Sequence, residues 1–259
     1  MALKALILDV DGTVAETADV KRAAFNQAFA EIGLDWVWGR AVFQQILASS
    51  LQGGETTYFA RIRHPDLINS LTRNGALDRV QRRQQDIYRG LLETGAAQLR
   101  PGIARLMAEA LAGRVKLALC STGPRQEFET LLYNRFGREM VDGLAASVAA
   151  EDLTTGSLVQ AYRLCLSRLG VGAHEAVVIE DSSAGCAAAA RLGLTVIATP
   201  GQYSANDHFR GAAFVLSDLG HPAAPFTAYK GDVAGISHVT LNAIRQWQAM
   251  SAQVSASAA

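Results

Sequence analysis

The stretch Ala5-Leu6-Ile7-Leu8-Asp9-Val10-Asp11-Gly12-Thr13 decides the fold. Four consecutive apolar residues are too few for a helix. They read as a strand buried on both faces, the usual form in a parallel sheet. The strand runs into two carboxylates with one residue between them. In an open α/β sheet, ligands sit beyond the carboxyl ends of the strands, so Asp9 and Asp11 are candidates for chemistry. One acid can attack or bind a cation while the other moves a proton. A plain Asp-Gly turn is the structural alternative, and Thr13 completes a more specific motif.

Outward from this strand the pattern repeats. Residues 115–120, 176–179 and 195–198 are short apolar runs, and 146–148 is one more short strand. Helical spacing fills the intervals at 103–111, 126–136, Leu158–Leu169 and 184–192. Alternating strand and helix predicts a doubly wound α/β domain. One segment, from about 18 to about 98, interrupts the alternation and shows no buried strand. Ala24, Phe25, Ala28, Phe29 and Ile32 fall at helical spacing, and Gly33 ends the pattern. Helix-like stretches follow at 41–49 and 79–92, and Pro101-Gly102 marks re-entry. The predicted organisation is a Rossmann-like α/β core of residues 1–16 and 98–259, with an inserted helical domain of residues 17–97. The Ala/Ser tail after Ser251 is expected to fray.

Two more strand ends carry polar chemistry. In Cys120-Ser121-Thr122-Gly123 the hydroxyls and amides before a helix suit an anion such as phosphate, or serve only as an N-cap cluster. Val177-Val178-Ile179-Glu180-Asp181-Ser182 brings a second acidic pair. Acids gathered from separate strand ends repel one another unless a cation sits among them. Mg²⁺ accepts a few carboxylates and keeps waters beside them. An Asp N-cap on the next helix is the structural alternative.

Composition narrows the partners. The chain has 259 residues, 49% hydrophobic and 19% charged, enough to bury a large core. Lys+Arg and Asp+Glu are both 24, and the zero net charge argues against nucleic acid or an anionic membrane as partner. Only four of the basic residues are lysines: Lys4, Lys21, Lys116 and Lys230. Three scattered cysteines indicate neither a disulfide framework nor a zinc site. With no signal-peptide pattern and no apolar run of the ~18–20 residues a span needs, a soluble cytoplasmic protein is expected. Trp36 and Trp38 are expected to pack, Cys120 to lie in the core, and the five histidines to stand outside the motifs.

Together, the Asp-x-Asp-Gly-Thr, strand-end Ser and Glu-Asp-Ser elements resemble the haloacid-dehalogenase-like (HAD) hydrolase superfamily, and the helical insert resembles its C1 cap. Ala15-Glu16-Thr17, Arg22-Ala23-Ala24-Phe25-Asn26, Leu34-Asp35-Trp36-Val37-Trp38 and the late Ser217-Asp218-Leu219-Gly220 through Pro225-Phe226 look like its CbbY-like sugar-phosphate phosphatase branch. A near relative of that branch is β-phosphoglucomutase. The resemblance implies that Asp9 attacks phosphorus to form an aspartyl-phosphate. Asp11 would protonate the leaving oxygen and then activate water. Mg²⁺ would be held by the Asp9 carboxylate, the Asp11 carbonyl and Asp181, with Glu180 close by. Ser121 and Thr122 would hold the phosphoryl group of a small phosphorylated metabolite; Lys21, a helix-face charge by default, is a candidate substrate contact. The linkers near Glu16 and near residues 99–101 would be hinges for cap closure.

The match departs at three places. Relatives carry a lysine in a Lys-Pro-x-Pro segment before the helix that precedes Glu-Asp, whereas this chain reads Thr154-Thr155-Gly156-Ser157. Losing such a charge-assisted contact costs about 1.5–3 kcal/mol, or on the order of 10²–10³ in rate if it acts like an oxyanion donor. The family's Gly-Gly-Lys loop reads Gly53-Gly54-Glu55, which should disfavour a doubly phosphorylated sugar. Lys21 stands where relatives usually have histidine. Three readings follow. Another cation (Lys21, Arg125 or Lys116) replaces the lysine; or the enzyme is slow or takes another monophosphate; or turnover is lost and the protein binds a phospho-metabolite. A mutase-like phosphoryl transfer is a further alternative.

Overall fold

The computed structural model describes residues 3–49, 54–233 and 235–257, with backbone only for 252–257. The chain divides into two compact units, Met1–Glu16 with Gln98–Ala259, and Thr17–Ala97.

The strands are β1 (Ala5–Asp9), β2 (Ala15–Glu16), β3 (Gln98–Leu99), β4 (Lys116–Cys120), β5 (Ala146–Val148), β6 (Ala176–Glu180), β7 (Thr195–Ala198), β8 (Phe214–Leu216) and β9 (Ala228–Lys230). Seven form one sheet in the order β5-β4-β1-β6-β7-β8-β9, while β2 and β3 pair as a separate antiparallel ribbon. Every neighbour in the large sheet is parallel except β8 and β9. Central β1 runs between β4 and β6, and the chain leaves it first on one side, then on the other. That reversal opens a crevice at the carboxyl ends of the strands. In the β1–β4 register Asp9 lies opposite Cys120, so the strand-end motifs meet at the same edge.

The helices of Thr17–Ala97 are α1 (Ala18–Ile32), α2 (Arg40–Leu47), α3 (Gly54–Arg63), α4 (Ile68–Arg73) and α5 (Ala76–Glu93). The apolar stripe read on α1 is buried at Ala24, Phe25, Ala28 and Phe29, and α1 packs chiefly on α5. Gly33 ends α1 at φ 81°, a left-handed conformation that glycine adopts without strain. Trp38 is fully buried, with ring centroids 4.6 Å from Phe25 and 4.8 Å from Phe29. Asn26 clasps its backbone, accepting the Trp38 N–H at 2.7 Å and donating to the Trp38 carbonyl at 3.1 Å. Helices α3 and α4 were not legible in the sequence, whose apolar residues there make no clear stripe. Gly53, part of the loop singled out above, lies outside the described residues.

The sheet is covered by α6 (Ile103–Ala112), α7 (Arg125–Asp142), α8 (Leu158–Leu169), α9 (Ser183–Arg191) and α10 (Leu241–Ser257). Ile7, Ala118, Val178 and Val196 join Tyr162, Cys165, Cys186 and Ala189 of α8 and α9 in one buried cluster. Leu6, Leu8, Leu117, Leu119, Val177 and Ile179 are equally buried and point to the other face, since side chains alternate along a strand. On the helical side, α6 packs against β4 and α10. Gly137 interrupts α7 at φ 75°, which is why the helical pattern ends at 136 although helix resumes beyond it. The Ala/Ser tail, expected to fray, is helical through Ser257.

Trp38→Ala should destabilise the helical unit by about 3–5 kcal/mol, because it empties the middle of the aromatic cluster. Chemical denaturation followed by fluorescence of the remaining tryptophans measures this. A loss below about 1 kcal/mol would show that the cluster is not its core.

Candidate active site

β1 delivers Asp9 and the turn after it. Gly12 has φ 90°, and a Cβ there would lie 2.2 Å from Asp181 Oδ2. Only glycine lets this turn approach the acid presented by β6. A second glycine does the same for Glu180, since a Cβ on Gly185 would stand 1.6 Å from its Oε1. Carboxylate oxygens of Asp9, Glu180 and Asp181 lie within 4.8 Å of one another. The sequence motifs of β1 and β6 therefore do converge.

The three acids are not equivalent. Glu180 is fully buried, and both its oxygens are engaged. Oε1 accepts the Tyr162 hydroxyl at 2.5 Å. Oε2 accepts the Asp181 amide at 3.0 Å and the Ser182 amide and hydroxyl at 2.9 Å each. Asp181 Oδ2 accepts the Ser204 hydroxyl at 3.3 Å. Asp11 is exposed, which suits exchange of protons with water. A Cβ on Gly123 would lie 3.3 Å from Ser121 Oγ and 3.9 Å from Asp11 Oδ2, so Asp11 borders the Ser121 loop.

Electrostatics sharpen the picture. Burial, then the charges of Glu180, Asp181 and Asp11, push the Asp9 carboxyl well above the usual carboxylate range. Burial and then the charges of Glu180 and Asp11 do the same to Asp181, against the Ser204 hydrogen bond and the charge of Arg100. Glu180 is raised by burial, although Tyr162 and Ser182 favour its charged form. Among the described residues, no Lys, Arg or His forms an ion pair with Asp9, Glu180 or Asp181. Oxygen-only donors, crowded and without a directly paired cation, fit a hard divalent cation.

The Ser121 loop is less open than its sequence suggests. Ser121 is buried and its Oγ accepts the Gly123 amide at 2.9 Å. The Arg125 amide at the start of α7 donates to the Glu151 carboxylate at 3.0 and 3.1 Å. Two amides of this loop are thus turned to Ser121 and Glu151, while Thr122 is exposed.

The three candidates for a relocated cation are each engaged elsewhere. Lys21 pairs with Glu55 at 2.9 Å inside the helical unit. Burial works to raise the Glu55 carboxyl, yet the charge and hydrogen bond of Lys21 hold it below its ordinary value. Lys116 opens β4 beside Ala5, four residues and roughly 13 Å of strand from the Asp9 level. Its ammonium donates to the Leu169 carbonyl at 2.6 Å. Arg125 donates to Ser147 Oγ at 2.6 Å and pairs with Asp152.

Sequence reasoning gave no role to Tyr162, Ser204 or Gly185, and saw Arg100 only as part of a linker. The Ser182-x-x-Gly185 spacing was the one available signal, since the Ser182 hydroxyl caps α9 by accepting the Gly185 amide at 3.0 Å.

The model of haloacid dehalogenase-like hydrolases matches residues 3–193. The chain belongs to the haloacid dehalogenase-like hydrolases. Within that family its relatives include CbbY proteins. The plasmid-borne CbbY of Cupriavidus necator is 34% identical over 248 residues, covering 95% of this chain and 96% of that protein. A crystal structure of CbbY from Rhodobacter sphaeroides with phosphate is 32% identical, with a TM-score of 0.73 over 83% of this chain and 94% of that one. A variant of the same CbbY, solved with xylulose-1,5-bisphosphate, is 31% identical with a TM-score of 0.73 over 85% and 98%. The HAD fold and the phosphatase class expected from the motifs hold. No helix among the described residues is long and apolar enough to cross a membrane.

A raised carboxyl binds its proton more tightly in the folded state, so it withdraws stability as pH rises above the unfolded value near 4. In chelator, Asp181→Asn should therefore melt higher than wild type at pH 7, by about 2–4 °C per kcal/mol for a chain of this size. The gain should vanish near pH 4, where both forms are neutral. Melting curves across pH check this, and a variant less stable at pH 7 would contradict the repulsion.

Proposed function

We propose that this HAD hydrolase is a Mg²⁺-dependent phosphatase acting on a small sugar phosphate through an aspartyl-phosphate. The convergence of Asp9, Glu180 and Asp181, with Asp11 beside the Ser121 loop, carries this reading. Glu180 has both oxygens occupied and stays a positioning group. By the family resemblance, Asp9 is the acid that attacks phosphorus, with its own oxygen forming the new P–O bond as the sugar oxygen leaves. Asp11 gives that oxygen a proton, then takes one from the water that cleaves the acyl phosphate and regenerates Asp9. The Ser121 hydroxyl and Thr122 amide hold the phosphoryl oxygens. Asp9 and Asp181, with the Asp11 carbonyl, would hold Mg²⁺, with Glu180 close by as the positioning acid; when bound, the ion supplies the positive charge this cluster and the phosphoryl group require.

The helical unit, residues 17–97, is proposed as the cap that selects the sugar. Rhodobacter CbbY binds a doubly phosphorylated pentose. In this chain Lys21 and Glu55 neutralise one another, which supports a singly phosphorylated substrate. A cytoplasmic location suits three free buried cysteines.

A phosphatase panel with Mg²⁺ tests the reading. Phosphate release should fall by at least ~10³ in Asp9→Asn, as for the loss of a nucleophile, and by about 10²-fold in Ser121→Ala. Monophosphates should be preferred to xylulose-1,5-bisphosphate in kcat/KM. No release above the Asp9→Asn background would sink hydrolysis, and thermal shifts with the same ligands would then examine binding without turnover. Mg²⁺ at a hundred times its Kd should stabilise the folded chain by about 2.7 kcal/mol, and more strongly at pH 8 than at pH 5, because protons compete for the same carboxylates.

A further inference from the structure

Asp181 is held between two glycines. Gly12 closes one side, as described above. On the other, a Cβ on Gly201 would lie 3.3 Å from Asp181 Oδ2 and 3.5 Å from Glu16 Oε2. The Glu16 carboxylate therefore flanks the same gap as Asp181. Two acids facing one small space repel, and the loop between them has no regular structure to keep it in place. It is fixed by hydrogen bonds instead. The Thr199 amide donates to the Glu180 carbonyl at 2.7 Å. The Ser204 hydroxyl accepts the Gly201 amide at 2.9 Å while donating to Asp181 Oδ2.

One guanidinium ties this assembly together. Arg100 Nη1 pairs with Glu16 Oε1 at 2.6 Å. Its Nη2 donates to the carbonyls of Pro200 and Ser217 at 2.9 Å each and of Thr199 at 3.2 Å. The Arg100 amide also donates to the Val14 carbonyl at 3.0 Å, beside the β2–β3 ribbon. The planar fork of arginine suits such a junction, and a lysine ammonium could not reach all four oxygens. A second partly buried arginine, Arg105, holds the carbonyls of Leu219, Gly220 and Val239 and the Glu109 carboxylate. None of these partners belongs to the acid cluster or to the Thr199–Pro200 loop, so Arg105 serves as an internal comparison.

We propose that Arg100 is a positioning residue of the metal site. It clamps Glu16 and the Thr199–Pro200 backbone so that Gly201 and Ser204 hold the Asp181 carboxylate at its place in the acid cluster. This proposal rests on the metal-binding part of the function proposed above.

Mn²⁺ binding followed by electron paramagnetic resonance reads the site without turnover. Arg100→Met should raise the Mn²⁺ Kd at least fivefold, measured well below its melting point. Arg100→Lys should fall between that variant and wild type. Ser204→Ala, which leaves Arg100 in place, should raise Kd two- to threefold. Arg105→Met should lower the melting temperature and leave Kd alone, which separates positioning from general stability. A folded Arg100→Met that binds Mn²⁺ within twofold of wild type, or more tightly, overturns the proposal. Should Arg100→Met not fold, Arg100→Lys and Ser204→Ala decide, and the proposal fails if both stay within twofold of wild type. Wild-type protein that bound no Mn²⁺ would sink the metal reading and this proposal with it; normal wild-type binding with unaltered variants sinks this proposal alone.

Discussion

Mutual repulsion among Asp9, Glu180 and Asp181 is the constraint around which the α/β unit is arranged. Three carboxylates within 4.8 Å of one another oppose folding when they are charged together. The chain holds them in place by removing side chains where they would collide and adding donors where oxygens would go unmatched. Gly12 and Gly185 make the room. Tyr162, Ser182 and two backbone amides hold Glu180, the most buried of the three, in one orientation. Repulsion held in place this firmly is a selective attraction for a cation.

The position of the sheet makes the concentration of charge possible. Parallel strands present their carboxyl ends together, so β1 and β6 bring acids that are about 170 residues apart in sequence to one edge. The apolar interior behind them is continuous, with both faces of β1 fully buried. A rigid, dry backing keeps the acids from relaxing away from one another, and it is why burial heads the causes that raise each of them.

Legibility in the sequence followed the range of the interaction. Strand runs, the Asp9–Thr13 turn and the Glu180-Asp181 pair are local patterns, and they were readable. Tyr162 and Glu180 are 18 residues apart, and Arg100 and Ser217 are 117 apart. Only the topology brings such pairs together, so no spacing rule could find them. Strands β8 and β9 are three residues each, too short for a period to register. Lys21 and Glu55 were read as two separate departures from the family pattern, yet they form one neutral pair. Two substitutions that compensate in charge carry a different meaning from two independent losses.

That compensation recurs where the family lysine is missing. Residues 154–157 are closed on themselves by Gln160, which donates to Thr154 Oγ1 at 2.7 Å and accepts from the Thr155 amide and hydroxyl at 3.1 and 2.8 Å. Next to them Asp152 binds Arg125 and Arg168 together. The hydrogen bond from Arg168 leads the causes that hold its carboxyl down at about 2, so both arginines stay committed throughout the neutral range. With these cations engaged, the function proposed above draws its positive charge for a transferring phosphoryl group from a bound ion and from the hydroxyl and amide of the Ser121 loop. Catalysis in this chain should therefore depend more steeply on divalent cation than in relatives that keep the lysine, since the ion has fewer fixed charges to share the task.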